Sequence, residues 1–110
     1  MIDSIALNVD LAPTILTAAR SDIPSGMQGR DLSPLYLSNS PSDWRTDFFY
    51  EHAVIRRVDF IPASESLVQL QWKYIFWPNS GREELFFLKS DPGEVHNLVK
   101  EGDYQEILLE

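Results

Sequence analysis

The sequence predicts an α+β fold: an N-terminal helix, then a small antiparallel sheet of about three or four strands, then a short C-terminal helix. Three observations predict it. Leu70, Trp72, Tyr74 and Phe76 alternate with Gln69, Gln71 and Lys73, which is the period of a half-buried strand. Leu11, Ile15, Ala18 and Ala19 line one side of a helix. Tyr104, Ile107 and Leu108 repeat at helical spacing near the end.

Each element follows in chain order. Ile5, Leu7 and Val9 alternate with small or polar residues and predict a short strand. Asp10 stands where a helix N-cap belongs, with Pro13 in the first turn, where its missing N–H costs nothing; the helix should run to about Arg20. Residues 21–29 hold Pro24, Gly26 and Gly29 and predict a loop, after which Asp31 caps a helical turn reaching Leu37. The run Ser38-Asn-Ser-Pro-Ser-Asp43 has turn formers and no apolar side chain, and is the candidate linker.

Beyond the linker, Asp47 to Ile55 predicts a strand with Phe48, Tyr50, His52 and Val54 on one face. Pro78-Asn-Ser-Gly81 then joins two strands within residues 69–88 as a hairpin, and Asp91-Pro-Gly-Glu94 is turn chemistry.

Composition bounds the function. With 44% hydrophobic and 24% charged residues over 110 positions, the chain can bury a core rather than remain disordered. A net charge of -8 opposes phosphate backbones and anionic lipid, so neither nucleic acid nor a membrane is an expected partner. The absence of cysteine excludes disulfides, thiolate metal sites and a cysteine nucleophile. No apolar run approaches the about 20 residues that span a bilayer.

Three segments carry a resemblance: Asp10-Leu-Ala-Pro-Thr-Ile-Leu16, Gly26-Met-Gln-Gly-Arg-Asp-Leu-Ser-Pro-Leu35, and Glu84-Leu-Phe-Phe-Leu-Lys-Ser-Asp-Pro-Gly-Glu-Val-His-Asn-Leu98, with Trp44-Arg45 and Trp72-Lys-Tyr-Ile75 between them. In this order they resemble the C-terminal end of the sulfatase family within the alkaline-phosphatase superfamily. The resemblance implies that residues 1–37 end a large α/β domain, 38–43 link, and 44–110 form most of a small C-terminal subdomain. Family members use a formylglycine and a calcium-type divalent metal. The Cys/Ser-x-Pro-x-Arg motif that yields formylglycine is absent from these residues, so the chain itself is expected to hold no cofactor and to be catalytically silent. The implied partners are a catalytic domain N-terminal to this region and a sulfated carbohydrate or aryl sulfate. A periplasmic or secreted location is implied for the whole protein.

Four residues are candidates for substrate binding: His52, Arg56, Arg57 and Trp77. His52 lies near a strand end that the resemblance places by the active-site mouth, and an imidazole can donate to sulfate or sugar hydroxyls; an ordinary half-buried histidine is the alternative. Arg56-Arg57 is the adjacent basic pair of an acidic chain and suits a sulfate, or else is a solvated loop pair. The aromatics of the strands serve either as core or as sugar-stacking faces, with Trp77, beside the turn, the candidate for stacking. The family arginine ahead of Lys-Tyr-Ile is replaced here by Val68 or Gln69.

Asp3, Asp10 and the pair Glu83-Glu84 are set aside as sites: Asp10 is explained by capping, and neighbouring strand glutamates point to opposite faces. Two rival readings stand beside the leading one. The chain is an independent module for sulfated glycan, or the whole protein cleaves a phosphate or phosphonate ester. The apolar stripe of the first helix, separated from its partners, is expected either to pack on the sheet or to drive self-association.

Overall fold

The computed structural model describes residues 4–37, 41–53, 61–104 and 106–107. They fall into two compact units, Met1–Thr46 and Asp47–Glu110.

The first unit is built around one carboxylate. The strand expected over Ile5 to Val9 does not form: Leu7 is extended, but Asn8–Asp10 closes a 3-10 turn, and the Ile5 carbonyl accepts the Trp44 indole N–H at 2.9 Å instead of a strand partner. Helix α1 follows as Leu11–Ala18. It stops where Arg20 takes a left-handed φ of 55°, close to the expected end. Helix α2, Ser33–Leu37, starts as its sequence indicates, with the Asp31 carboxylate accepting the Ser33 amide at 2.9 Å and the Ser33 hydroxyl at 2.5 Å.

Asp10 is the correction in this unit. It occupies the cap position of α1, yet it has helical dihedrals and gives the helix no side-chain cap. Its oxygens turn the other way, accepting the amides of Leu7 and Arg30, each at 2.8 Å, and closing on the Arg45 guanidinium. The backbone of the Gly26–Leu35 motif is thereby tied to the 3-10 turn. Thr14 completes the tie, donating to the Asp10 carbonyl at 2.6 Å and accepting the Leu32 amide at 2.9 Å. Gly29 is needed for this close approach, because a Cβ there would lie 1.9 Å from the Val9 carbonyl oxygen.

The second unit is a four-stranded antiparallel sheet in the order β1-β2-β3-β4, with β1 Asp47–His52, β2 Ser64–Gln69, β3 Trp72–Trp77 and β4 Arg82–Phe87. The hairpin expected within residues 69–88 is β3–β4, pairing Trp72 with Phe87 and Trp77 with Arg82 around residues 78–81. Strand β2 was not singled out by the sequence pattern; it pairs with β3 through a tight turn at Leu70 and Gln71. Leu70 therefore lies in a turn, not in the strand it was assigned to. The expected continuation of β1 through Val54 and Ile55 lies outside the described residues.

The free edge of β4 is covered. The Asn97 side chain accepts the Leu85 amide at 3.0 Å and donates to the Glu83 carbonyl at 3.1 Å, while the Leu98 amide bonds to the Leu85 carbonyl at 2.8 Å. Unpaired edge groups that would otherwise recruit another chain are thus satisfied. The Asp91–Glu94 turn that delivers Asn97 is held by the Asp91 carboxylate, which accepts the amides of Val95 and His96. Where a closing helix is expected from Asp103, the described residues form a 3-10 turn, Gly102–Tyr104, whose tyrosine packs edge-on against Trp72 at 5.7 Å; residues 105 and 108–110 lie outside the described residues.

Candidate functional site

Register sorts the sheet side chains into two faces of different chemistry. His52 pairs with Ser64, Ser66 with Ile75, and Trp77 with Arg82, so strand alternation puts His52, Ser64, Ser66, Lys73, Ile75, Trp77, Arg82 and Glu84 on one face. The opposite face carries Phe49, Glu51, Glu65, Leu67, Trp72, Tyr74, Phe76, Glu83 and Leu85. Glu83 and Glu84 thus project oppositely, as strand geometry requires.

On the first face His52 is half-buried, with its ring 6.4 Å from that of Tyr50. Its Nδ1 is buried and has no hydrogen-bond partner among the described residues. Buried polar atoms are nearly always paired in a folded protein, so this nitrogen marks a place where a donor or acceptor is wanted. Trp77 is held by its indole N–H, which donates to Glu84 Oε2 at 3.2 Å. Glu84 is almost fully buried and takes the Arg82 guanidinium on its other oxygen, leaving Arg82 largely exposed. Two of the four candidates, His52 and Trp77, therefore share a face; Arg56 and Arg57 lie outside the described residues. Arg82 was not singled out in the sequence. Its signal there, a lone arginine after a turn glycine, is indistinguishable from an ordinary surface charge.

The second face has a different electrostatic sense. Glu51 pairs directly with Glu65, Glu65 with Phe76, and Phe76 with Glu83, which makes one row of three carboxylates across the four strands. No lysine or arginine lies on that face of the strands. Burial first, then the negative charge and hydrogen bonding of Glu83, push the Tyr74 hydroxyl above its ordinary value. A cavity of about 410 Å³ opens there, lined by Leu67, Trp72, Tyr74, Glu83 and Ile107 among others.

In the first unit the most perturbed acid is Asp10. Its burial works to raise its pKa, but bonds from Arg45 and from the Arg30 and Leu7 amides outweigh that and lower it to about 2. All its acceptor directions are used, so it is a structural anion. Among the described residues, no group of three or more His, Asp or Glu gathers as a metal would require. These residues do not fit the divalent ion of the sulfatase resemblance.

A short helix followed along the chain by a four-stranded antiparallel sheet matches the C-terminal regions of sulfatases, and comparison with known proteins agrees. The chain belongs to the family described as N-sulphoglucosamine sulphohydrolase, C-terminal, whose model matches residues 1–110. It is 30% identical to an N-acetylglucosamine-6-O-sulfatase of Bacteroides thetaiotaomicron, over 92% of this chain and 19% of that protein. It is 31% identical to a multifunctional alkaline phosphatase superfamily protein of Trinickia caryophylli, over 92% of this chain and 22% of that one. Among solved structures, one determined in complex with its substrate D-glucosamine-2-N,6-O-disulfate superposes with a TM-score of 0.84 at 28% identity, over 96% of this chain and 22% of its own. The chain therefore spans about a fifth of the length of the relatives it matches.

Proposed function

We propose that this region is the non-catalytic C-terminal portion of a sulfuric ester hydrolase, closing the fold of a larger catalytic part and forming one wall of the substrate pocket. Within that reading residues 1–37 complete the large α/β domain, 38–43 link, and 44–110 form the subdomain. The nucleophile, a formylglycine, and a divalent metal such as calcium belong to the catalytic part.

The observation that carries the reading is incomplete burial. Of the described apolar side chains only Pro13, Leu35, Leu85 and Phe86 are buried, while Leu11 and Ile15 on α1 are 54% and 66% exposed. A stripe of this kind is covered by other polypeptide in a finished fold. The match to sulfatases over about a fifth of their length supports reading that polypeptide as a catalytic domain.

The two faces of the sheet then divide the work. A sulfated substrate is repelled by the row Glu51, Glu65 and Glu83 and tolerated by the face of His52, Trp77 and Arg82. His52 contributes a hydrogen bond and Trp77 a stacking surface, with Arg56 and Arg57 the further basic contacts. Sulfated carbohydrate is favoured over simple aryl sulfate, because the relatives of this chain include one acting on N-acetylglucosamine and one solved with a glucosamine disulfate. The alkaline phosphatase superfamily relative supports the second reading, a phosphate or phosphonate ester substrate. The exported location of the whole protein is carried over from the resemblance.

The test is made in the complete sulfatase polypeptide. His52→Ala is expected to raise KM for a sulfated glucosamine about tenfold at unchanged thermal stability, the loss of one hydrogen bond to an anion. An unaltered KM would remove His52 from the pocket wall.

A further inference from the structure

His52 and Trp77 belong to one transverse row of the sheet. The register pairs His52 with Ser64 and Trp77 with Arg82, and one step beyond the Glu65–Phe76 pair sets Ser64 beside Trp77. His52, Ser64, Trp77 and Arg82 therefore stand side by side on one face, at one end of the sheet. With neighbouring strands about 4.8 Å apart, the row runs about 14 Å, longer than a single sugar ring.

The far end of the row holds a cation that is oriented but not covered. Two cations lie on this face of the strands among the described residues. Lys73 is 25% exposed and its ammonium is answered by Glu94 at 2.6 Å. Arg82 is 67% exposed, and the carboxylate that takes its guanidinium, on Glu84, has a side chain only 11% exposed. A guanidinium carries five N–H donors in a fixed fork, so a carboxylate on one edge orients it and leaves the other donors free. Glu84 also accepts the Trp77 indole N–H at 3.2 Å, which fixes the indole beside the arginine and leaves its ring to be stacked upon. The turn between them is closed by the Gly81 amide on the Trp77 carbonyl at 2.9 Å.

We propose that Arg82 receives a second anionic group, sulfate or carboxylate, on the sugar next to the one that carries the scissile ester, so that the row selects an anionic oligosaccharide over a single sulfated sugar. The unpartnered His52 Nδ1 and the Trp77 ring serve the near sugar, and the guanidinium reads the next one. Glu84 acts as a positioning residue for Arg82 and Trp77. The inference rests on the reading of these residues as part of a sulfatase pocket wall and adds the class of substrate that the wall accepts.

The test uses the complete sulfatase polypeptide and three disaccharides that share one sulfated glucosamine and differ in the second sugar, which is neutral, carboxylated or sulfated. At least one anionic disaccharide should exceed the neutral one in kcat/KM by about tenfold, the effect of one charge-assisted contact, and the larger of the two ratios names the anion. Added salt should shrink that ratio. Arg82→Ala should bring it to about one, and Arg82→Glu should make the neutral disaccharide the better substrate. A merely structural loss lowers all three substrates alike and leaves the ratio standing, and a ratio that survives in both variants overturns the proposal. Hydrolysis of all three disaccharides without preference by the unaltered protein overturns it alone, whereas hydrolysis of none overturns the sulfatase reading with it.

Discussion

The fully buried carboxylate of Asp10 is closed by a two-pronged contact with the guanidinium of Arg45, 35 residues further along the chain. The Arg45 side chain is only 14% exposed, and Trp44 beside it is covered by the guanidinium of Arg30 at 4.6 Å. Three separated motifs, the start of α1, the Gly29-Arg30 loop and Trp44-Arg45, thus converge on one anion.

Removing either partner strands a buried charge. Arg45→Met is expected to cost about 3 kcal/mol, and Asp10→Asn a comparable amount, in urea unfolding at neutral pH. The pair also sets an acid dependence. Because the folded pKa of Asp10 lies below the ordinary value, its stabilisation is complete above 3.8 and is lost as pH falls through about 2. The stabilisation lost is on the order of 2 kcal/mol. Asp10→Asn should flatten the unfolding free energy across that interval; an unchanged slope would show that the carboxylate is not held as described.

Gly29 and Gly26 offer a matched pair. A Cβ at Gly29 meets the Val9 carbonyl at 1.9 Å, whereas one at Gly26 meets nothing within 4 Å. Gly29→Ala is expected to destabilise by about 2 kcal/mol or more and Gly26→Ala to stay within about 0.5 kcal/mol. Thermal melts of the two variants compare them directly, and equal melts would contradict the close approach of the loop.

Asn97 holds the outer edge of β4 through the Leu85 amide and Glu83 carbonyl, and it also accepts the Val99 amide at 3.1 Å. Asn97→Ala should cost about 1–3 kcal/mol, because the Leu85 amide loses its partner in a buried setting. Hydrogen exchange at Leu85 should accelerate far more than at Tyr74 in the sheet interior. Equal acceleration at both would mean global rather than edge opening.

Much of the sheet was legible because its signals are local. Alternation over Trp72–Trp77 and the turn formers of 78–81 fix the hairpin without reference to anything distant. Strand β2 escaped because Ser64, Glu65 and Ser66 are polar while Leu67 and Val68 are adjacent, so neither face reads as apolar, and Leu70-Gln71 contains none of the usual turn residues. The role of Asp10 is hidden in the sequence for a different reason. An aspartate ahead of a helix has the same sequence signature whether it caps that helix or pairs with an arginine far away, and only the fold distinguishes them. Of the candidate site, the shared face of His52 and Trp77 could be derived only once β2 was in place to set the register between their strands.

Under the proposed function, ester hydrolysis requires polypeptide beyond these residues. Residues 1–110 incubated with a chromogenic sulfate ester and calcium should release chromophore at the rate of buffer alone. Saturable release in proportion to protein concentration would contradict it.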